Sequence, residues 1–171
     1  MNISPSGQAC GAHITGLDLS KPLPTNTLQG IREAWLEHHV LAFPDQRLDD
    51  EDLVRVTQAF GDVGDDPFFV PMNKKTPVVA LTRRADEQAP VFAENWHTDW
   101  SFKKYPPIGT CLYSLVVPPV GGNTGFANQQ MALAQMPDEL RSRLEGKVAL
   151  HSAAAAYGPQ GTYGEKDQGN D

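Results

Sequence analysis

The sequence predicts an α+β fold, in which helices and short strands share one hydrophobic core. Apolar residues recur at helical spacing in the first half of the chain, whereas residues 40–43 and 108–117 are apolar or β-branched runs typical of strands. The 171 residues, of which 40% are hydrophobic, suit a globular domain of ordinary size. We therefore expect residues 1–171 to form a single domain.

The first half of the chain predicts strand, helix, strand and helix in that order. Residues 11–20 alternate apolar with small or polar residues and predict a short strand; Thr27 can cap a helix that runs to about residue 39. Residues 40–43 predict a buried strand, and the acidic residues 49–52 can begin a helix that ends at the glycine of position 61. The apolar positions of the two helices are Leu28, Ile31 and Trp35, and Leu53, Val56 and Phe60.

The second half predicts shorter elements separated by loops. Residues 61–77 contain several glycines and prolines and predict a long loop, and loops of that length within a domain are usually functional or mobile. Residues 153–171 are rich in glycine and poor in aliphatic side chains, which predicts a flexible loop or a frayed end. The remaining predictions are strands at 77–82, 108–117 and 147–152, and helices at 128–136 and 137–146.

Charge and cysteine content exclude several classes of protein. With 14 Lys plus Arg against 21 Asp plus Glu, the net charge of −7 argues against binding to nucleic acid or to an anionic membrane surface. We find neither a secretory leader nor a run of about 20 apolar residues, and we expect a cytoplasmic protein. Cys10 and Cys111 lie far apart in the sequence and are expected to be reduced thiols.

The segment NWHTDW, residues 95–100, has the highest density of potential metal ligands in the chain. In an extended segment, residues i and i+2 project to the same side, so His97 and Asp99 would present a nitrogen and an oxygen together. Two histidines and one carboxylate bind Fe(II) in non-haem oxygenases. The His-x-Asp spacing is weak evidence by itself, because a histidine paired with a neighbouring carboxylate at a strand end would give the same pattern.

Several further segments, in register with this one, make a more specific pattern. The segments are residues 11–20, 59–62 (AFGD), 95–99 (NWHTD), Phe102, Pro106 and Pro107, the strand-like run 108–117, and 118–124 (PPVGGNT). Together they resemble the taurine dioxygenase-like (TauD/TfdA) family of Fe(II)- and 2-oxoglutarate-dependent dioxygenases. The resemblance implies a double-stranded β-helix, or jelly roll, with flanking helices, which we expect to be incomplete in this chain.

The resemblance implies a role for four residues. His97 and Asp99 would be iron ligands, Thr124 would help to hold a carboxylate of 2-oxoglutarate, and Trp100 would line the pocket of the primary substrate. From the residues alone, Thr124 can equally be a turn hydroxyl that bonds its own backbone, and Trp100 can be a core residue.

The family's second histidine ligand, and the arginine that follows it by about ten residues, are not found in the chain. His151 is the only histidine after Asp99, and it matches a family position that is not a ligand. We therefore expect the N-terminal portion of a dioxygenase that hydroxylates a small organic molecule with O₂, giving succinate and CO₂. The alternative is a metal-free, non-catalytic binding or assembly module derived from that fold, and a homo-oligomer is compatible with either.

The residues that recognise taurine in the family's type enzyme have no match here. Asp66 and Phe69 lie in the long loop where a histidine and a tyrosine are expected, and Ala93 replaces an asparagine. An unpaired carboxylate near the pocket would repel a sulfonate. We therefore expect the enzyme to disfavour taurine and to prefer a larger apolar or cationic molecule, unless Asp66 lies in solvent.

Overall fold

The computed structural model describes residues 1–64, 71, 75–88 and 95–158. These residues belong to two units. Unit 1 consists of Met1–Val63 and Leu112–Gly146, and unit 2 of Gly64–Cys111 and Lys147–Asp171. Each unit therefore combines segments that are distant in sequence.

A three-stranded mixed sheet forms the centre of unit 1. Its strands are β1 (Asn2–Pro5), β2 (Ala12–Thr15) and β3 (Leu41–Ala42), in that order across the sheet. β1 pairs with β2 antiparallel, and β2 pairs with β3 parallel. Alternate side chains of β2 are buried, with Ala12 3% and Ile14 1% exposed. The strands expected near residues 11–20 and 40–43 are thus present, although both are shorter than expected.

Helix α1 (Thr25–His38) connects β2 to β3, and a parallel strand pair needs such a crossover. Ile31 and Ala34 are its buried residues, and both belong to the core that contains Ile14. The helix begins before Thr27, so the capping role expected for Thr27 is wrong. Pro24 holds that position, because its φ of −60° suits a helix start and its carbonyl accepts from the backbone N–H groups of residues 27 and 28.

Helix α2 (Asp50–Gln58) begins with a complete capping box. The Asp49 side chain accepts from the Asp52 N–H at 2.8 Å, and Asp52 Oδ2 accepts from the Asp49 N–H at 3.3 Å. Arg55 pairs with Asp52 at 2.7 Å and donates to the carbonyl of Leu19 at 2.8 Å. Just beyond the helix, Phe60 packs edge-on against Trp35 of α1 with ring centroids 5.4 Å apart. The second predicted helix is therefore confirmed and is tied to its neighbours.

Two polar side chains connect the segments of unit 1. Gln46 accepts from the Leu19 N–H at 2.8 Å and donates to the Leu17 carbonyl at 3.1 Å. The Tyr113 hydroxyl accepts from the Leu48 N–H at 3.1 Å and donates to the Gln46 carbonyl at 3.2 Å. These bonds join positions more than 25 residues apart and fix the connection between β3 and α2.

The helices predicted at 128–136 and 137–146 are present as α3 (Gln129–Ala134) and α4 (Asp138–Leu144). Asn128 caps α3 by accepting from the Met131 N–H at 3.0 Å, and its amide donates to the Ala9 carbonyl at 2.8 Å. The cap therefore also attaches the helix to the N-terminal segment of unit 1.

The strands predicted at 77–82, 108–117 and 147–152 are not formed in the described part of the chain. Their sequences have strand character, but a strand also needs a neighbour to bond its N–H and C=O groups, and no partner ladder is present along them. Apolar side chains there are correspondingly exposed, with Val116 92% and Leu150 96% accessible. The α+β class is confirmed, whereas the sheet described here has three strands rather than the two full sheets of a jelly roll.

Unit 2 is mostly irregular over its described residues. Arg83 pairs with Glu87 at 3.1 Å, and α5 (Ala154–Tyr157) is a single turn within the segment expected to be flexible. Residues 159–171 lie outside the described residues, so that expectation stays a prediction for them. Over the described parts of both units, no helix combines the length and the apolar character that crossing a bilayer requires.

Candidate metal centre

His97 and Asp99 lie side by side in unit 2. The backbone of residues 96–98 is irregular, and Asp99 begins a turn in which Trp100 takes a left-handed φ of 45°. His97 Nε2 is 3.1 Å from Asp99 Oδ1. The prediction that these two side chains share one side of the segment is confirmed.

The other ring nitrogen of His97 determines its tautomer. Nδ1 lies 2.8 Å from the carbonyl oxygen of Asn95, and a carbonyl oxygen can only accept, so Nδ1 carries the hydrogen. In the neutral ring, Nε2 then presents a lone pair to a carboxylate oxygen that also only accepts. Two acceptors at 3.1 Å require a positive charge between or beside them, either a second proton on the imidazole or a bound cation.

The separation of the two atoms suits adjacent ligands of one metal ion. Two bonds of about 2.1 Å that meet at a right angle place their donor atoms ~3 Å apart. The side chains of His97 and Asp99 are 50% and 46% exposed, so the pair is accessible from solvent. Imidazole and carboxylate donors both suit Fe(II). The pair therefore fits two adjacent positions of the metal site that the sequence predicts.

The second oxygen of Asp99 is held by a residue that sequence reasoning missed. Thr110 Oγ1 donates to Asp99 Oδ2 at 2.5 Å. Thr110 lies in the run predicted to be a strand, where a threonine is expected for its β-branched shape alone. Its partner is 11 residues away in the chain, and no spacing rule connects the two positions.

No third protein ligand joins the pair within residues 95–158 or the other described ranges, where groups of three metal-ligating side chains are absent. His151 belongs to the same unit, but its Nδ1 lies 2.7 Å from the Ser101 hydroxyl. His13, His38 and His39 belong to unit 1. Among the described residues, His97 and Asp99 are thus the candidate ligands that lie together, and their role as metal ligands stays a prediction.

Trp100 directly follows the ligand pair and is half-buried. The ammonium of Lys103 lies 4.3 Å from the centroid of its ring, which is a cation–π contact. Neither the core role nor the substrate-pocket role of Trp100 is tested by this contact, and both stay predictions.

The remaining candidate residues are not brought to the pair by the described structure. Thr124 is exposed and belongs to unit 1, so its expected role toward 2-oxoglutarate stays a prediction. Asp66, Phe69 and Ala93 lie outside the described residues. Cys10 and Cys111 are both free thiols, as expected.

Comparison with known proteins identifies the family. The family described as "Taurine catabolism dioxygenase TauD, TfdA family" matches residues 2–170. The chain belongs to the TauD, TfdA family. The resemblance of the NWHTD segment and its neighbours to that family is thereby confirmed.

Named relatives and a solved structure agree with this assignment. The chain is 36% identical over 149 residues, 86% of its length, to an alkylsulfatase of Acinetobacter baylyi, covering 46% of that protein. It is 32% identical over 161 residues, 92% of its length, to an alpha-ketoglutarate-dependent sulfate ester dioxygenase of Pseudomonas putida, covering 51% of it.

A crystal structure from Burkholderia xenovorans, provisionally described as an alpha-ketoglutarate-dependent taurine dioxygenase, superposes with a TM-score of 0.68 at 27% identity. The match covers 85% of this chain and 53% of that one. The chain spans about half the length of the relatives it matches.

Proposed function

We propose that this chain carries two protein ligands of the Fe(II) site of a 2-oxoglutarate-dependent dioxygenase. The whole enzyme hydroxylates a small organic molecule and releases succinate and CO₂. The observation that carries the proposal is that His97 Nε2 and Asp99 Oδ1 face each other at 3.1 Å in a chain of this family. Relatives named as alpha-ketoglutarate-dependent dioxygenases support it.

Each side chain has a defined part in this proposal. His97 and Asp99 hold the metal, and the Asn95 carbonyl keeps the hydrogen of His97 on Nδ1, so that Nε2 is free to bind. Thr124 binds a carboxylate of 2-oxoglutarate, and Trp100 lines the substrate pocket. When bound, the iron supplies the oxygen chemistry that the protein's own side chains lack.

Metal binding by the chain itself tests the assignment. We expect anaerobic Fe(II) titration to show weak binding, because two protein ligands give less chelation than three. His97→Ala and Asp99→Asn should each remove the binding. His13→Ala, which alters an exposed histidine of unit 1, is the matched control and should leave it unchanged. Binding that survives both ligand substitutions would show that the iron binds elsewhere and would contradict the proposal.

The substrate class is the less specific part of the proposal. The two relatives reported above are named for sulfate esters, and another is named as an (S)-phenoxypropionate dioxygenase, so their named substrates are anionic organic molecules. The loop residue Asp66 favours the opposite charge, and it stays a prediction. Turnover of the whole enzyme on alkyl sulfates, phenoxy acids, taurine and amines separates the two expectations. Amines as the best substrates would support the role of Asp66, and alkyl sulfates would contradict it.

A further inference from the structure

Thr110 is the only residue outside the NWHTDW segment that donates a hydrogen bond to Asp99 among the bonds found over the described residues. We propose that Thr110 is a positioning residue for the metal centre: its hydroxyl engages Oδ2 of Asp99 and thereby presents Oδ1 alone to the metal. This inference rests on the proposed function and deepens it, because it defines how the carboxylate binds.

The argument begins with the two oxygens of the carboxylate. An unrestrained aspartate can bind a metal through one oxygen or through both, and it can rotate between these arrangements. The Thr110 contact of 2.5 Å is at the short end of the range for a hydroxyl bound to a carboxylate. A donor so close to Oδ2 favours coordination through Oδ1, the oxygen that already faces His97.

The second step is that both ligands are restrained from the side away from the metal. The Asn95 carbonyl orients the imidazole of His97, and the Thr110 hydroxyl orients the carboxylate of Asp99. Such outer partners typically change metal affinity by about 10- to 100-fold.

The third step concerns what the threonine contributes. Thr110 is exposed, so its methyl group buries little apolar surface and its removal creates no cavity. The hydroxyl is therefore the functional group at this position. Serine keeps that hydroxyl, whereas valine keeps the shape and loses the donor.

The experiment is a Mn(II) titration of the full 171-residue chain, followed by the paramagnetic broadening of the His97 side-chain resonances. This readout detects weak binding and is independent of catalysis. We expect Thr110→Val and Thr110→Ala to weaken Mn(II) binding by about tenfold or more. Thr110→Ser should restore wild-type affinity, and Thr82→Val, the same change at an exposed position of unit 2, should have no effect.

Each result of this experiment either supports the role of Thr110 or overturns it. Equal Mn(II) affinity of wild type, Thr110→Val and Thr110→Ala would overturn the role of Thr110 while leaving the metal site intact. Weak binding by Thr110→Ser would show that the methyl group matters, and would also overturn it. A wild-type chain that binds no Mn(II) at His97 would overturn the proposed function, and the role of Thr110 with it. Backbone amide spectra of each variant verify that the fold is retained.

Discussion

At the scale of single residues, the hydrogen bonds that orient His97 and Asp99 say more about a possible metal site than the His-x-Asp spacing does. A histidine two residues before an aspartate is common in proteins, and the pair could simply share a proton. The Asn95 carbonyl places the hydrogen of His97 on Nδ1, and the Thr110 hydroxyl engages the far oxygen of Asp99. Both anchors turn His97 Nε2 and Asp99 Oδ1 toward each other, and either a proton on Nε2 or a bound cation would satisfy that contact.

The carboxyl group of Asp18 gives a prediction of how the stability of the chain depends on pH. Hydrogen bonds from Lys21 and Ser20 lower the pKa of Asp18 to about 2, and the pKa of Lys21 is raised in return. Since the pKa of Asp18 is lower in the folded than in the unfolded chain, its contribution to stability is present above about pH 4 and is lost as the pH falls toward 2.

The measurement is a carboxyl ¹³C titration by NMR, which should place the midpoint of Asp18 near 2. Lys21→Met should move the midpoint upward, toward the ordinary value of an aspartate. The pair is exposed, so the effect on the overall free energy of unfolding should be small. An ordinary midpoint in the wild-type chain would contradict the contact.

At the scale of elements, the N-terminal helices are the part of the fold that local sequence determines best. The acidic residues at 49–52 predict a helix start, and α2 begins there with both bonds of a capping box. A residue in that position satisfies backbone N–H groups that no intrahelical carbonyl can reach.

Removal of this cap should destabilise unit 1. We expect Asp49→Ala to lower the free energy of unfolding by about 1 kcal/mol, because the Asp52 N–H loses its acceptor. Asp49→Asn keeps a side-chain oxygen and should lose much less. Urea unfolding followed by circular dichroism measures both changes, and equal stability of the alanine and asparagine variants would contradict the role of the cap.

The sequence predicts the helices and the proximity of His97 and Asp99 better than it predicts the strands. Helices α1 to α4 follow from local spacing, and α2 and α3 also from their caps. The proximity of His97 to Asp99 was expected from the alternation of an extended segment, and it is present although the backbone there is irregular. The runs at 108–117 and 147–152 have strand composition, but a strand also depends on a partner that composition does not reveal. Thr110 was missed for the same reason, since its contact with Asp99 depends on tertiary structure.

At the scale of the whole molecule, the chain spans about half the length of the relatives reported above, and the described residues bring two candidate metal ligands together, His97 and Asp99. A two-ligand site chelates iron less tightly than a three-ligand site. We therefore expect the isolated chain and the whole enzyme to differ in activity, whereas the local geometry around His97 should be similar in both.

The isolated 171-residue chain is expected not to convert 2-oxoglutarate to succinate. The physical reason is that the described ligand set lacks a second histidine, and no arginine follows position 143 to hold the far carboxylate of 2-oxoglutarate. Succinate quantified after incubation with Fe(II), 2-oxoglutarate and O₂ tests this. Succinate formation that His97→Ala abolishes would contradict it and would make His151 a ligand candidate.

The unpaired strand-like runs also affect the colloidal behaviour of the chain. Leu115 and Val116 in unit 1, and Val148 and Leu150 in unit 2, are between 81% and 96% exposed. Exposed apolar segments of strand-like composition can pair with one another from separate molecules into intermolecular β-structure. The net charge of −7 opposes this association, and at an ionic strength of about 0.1 M its repulsion is screened beyond roughly 10 Å. We therefore expect added salt to increase aggregation of the chain and dilution at low salt to reduce it.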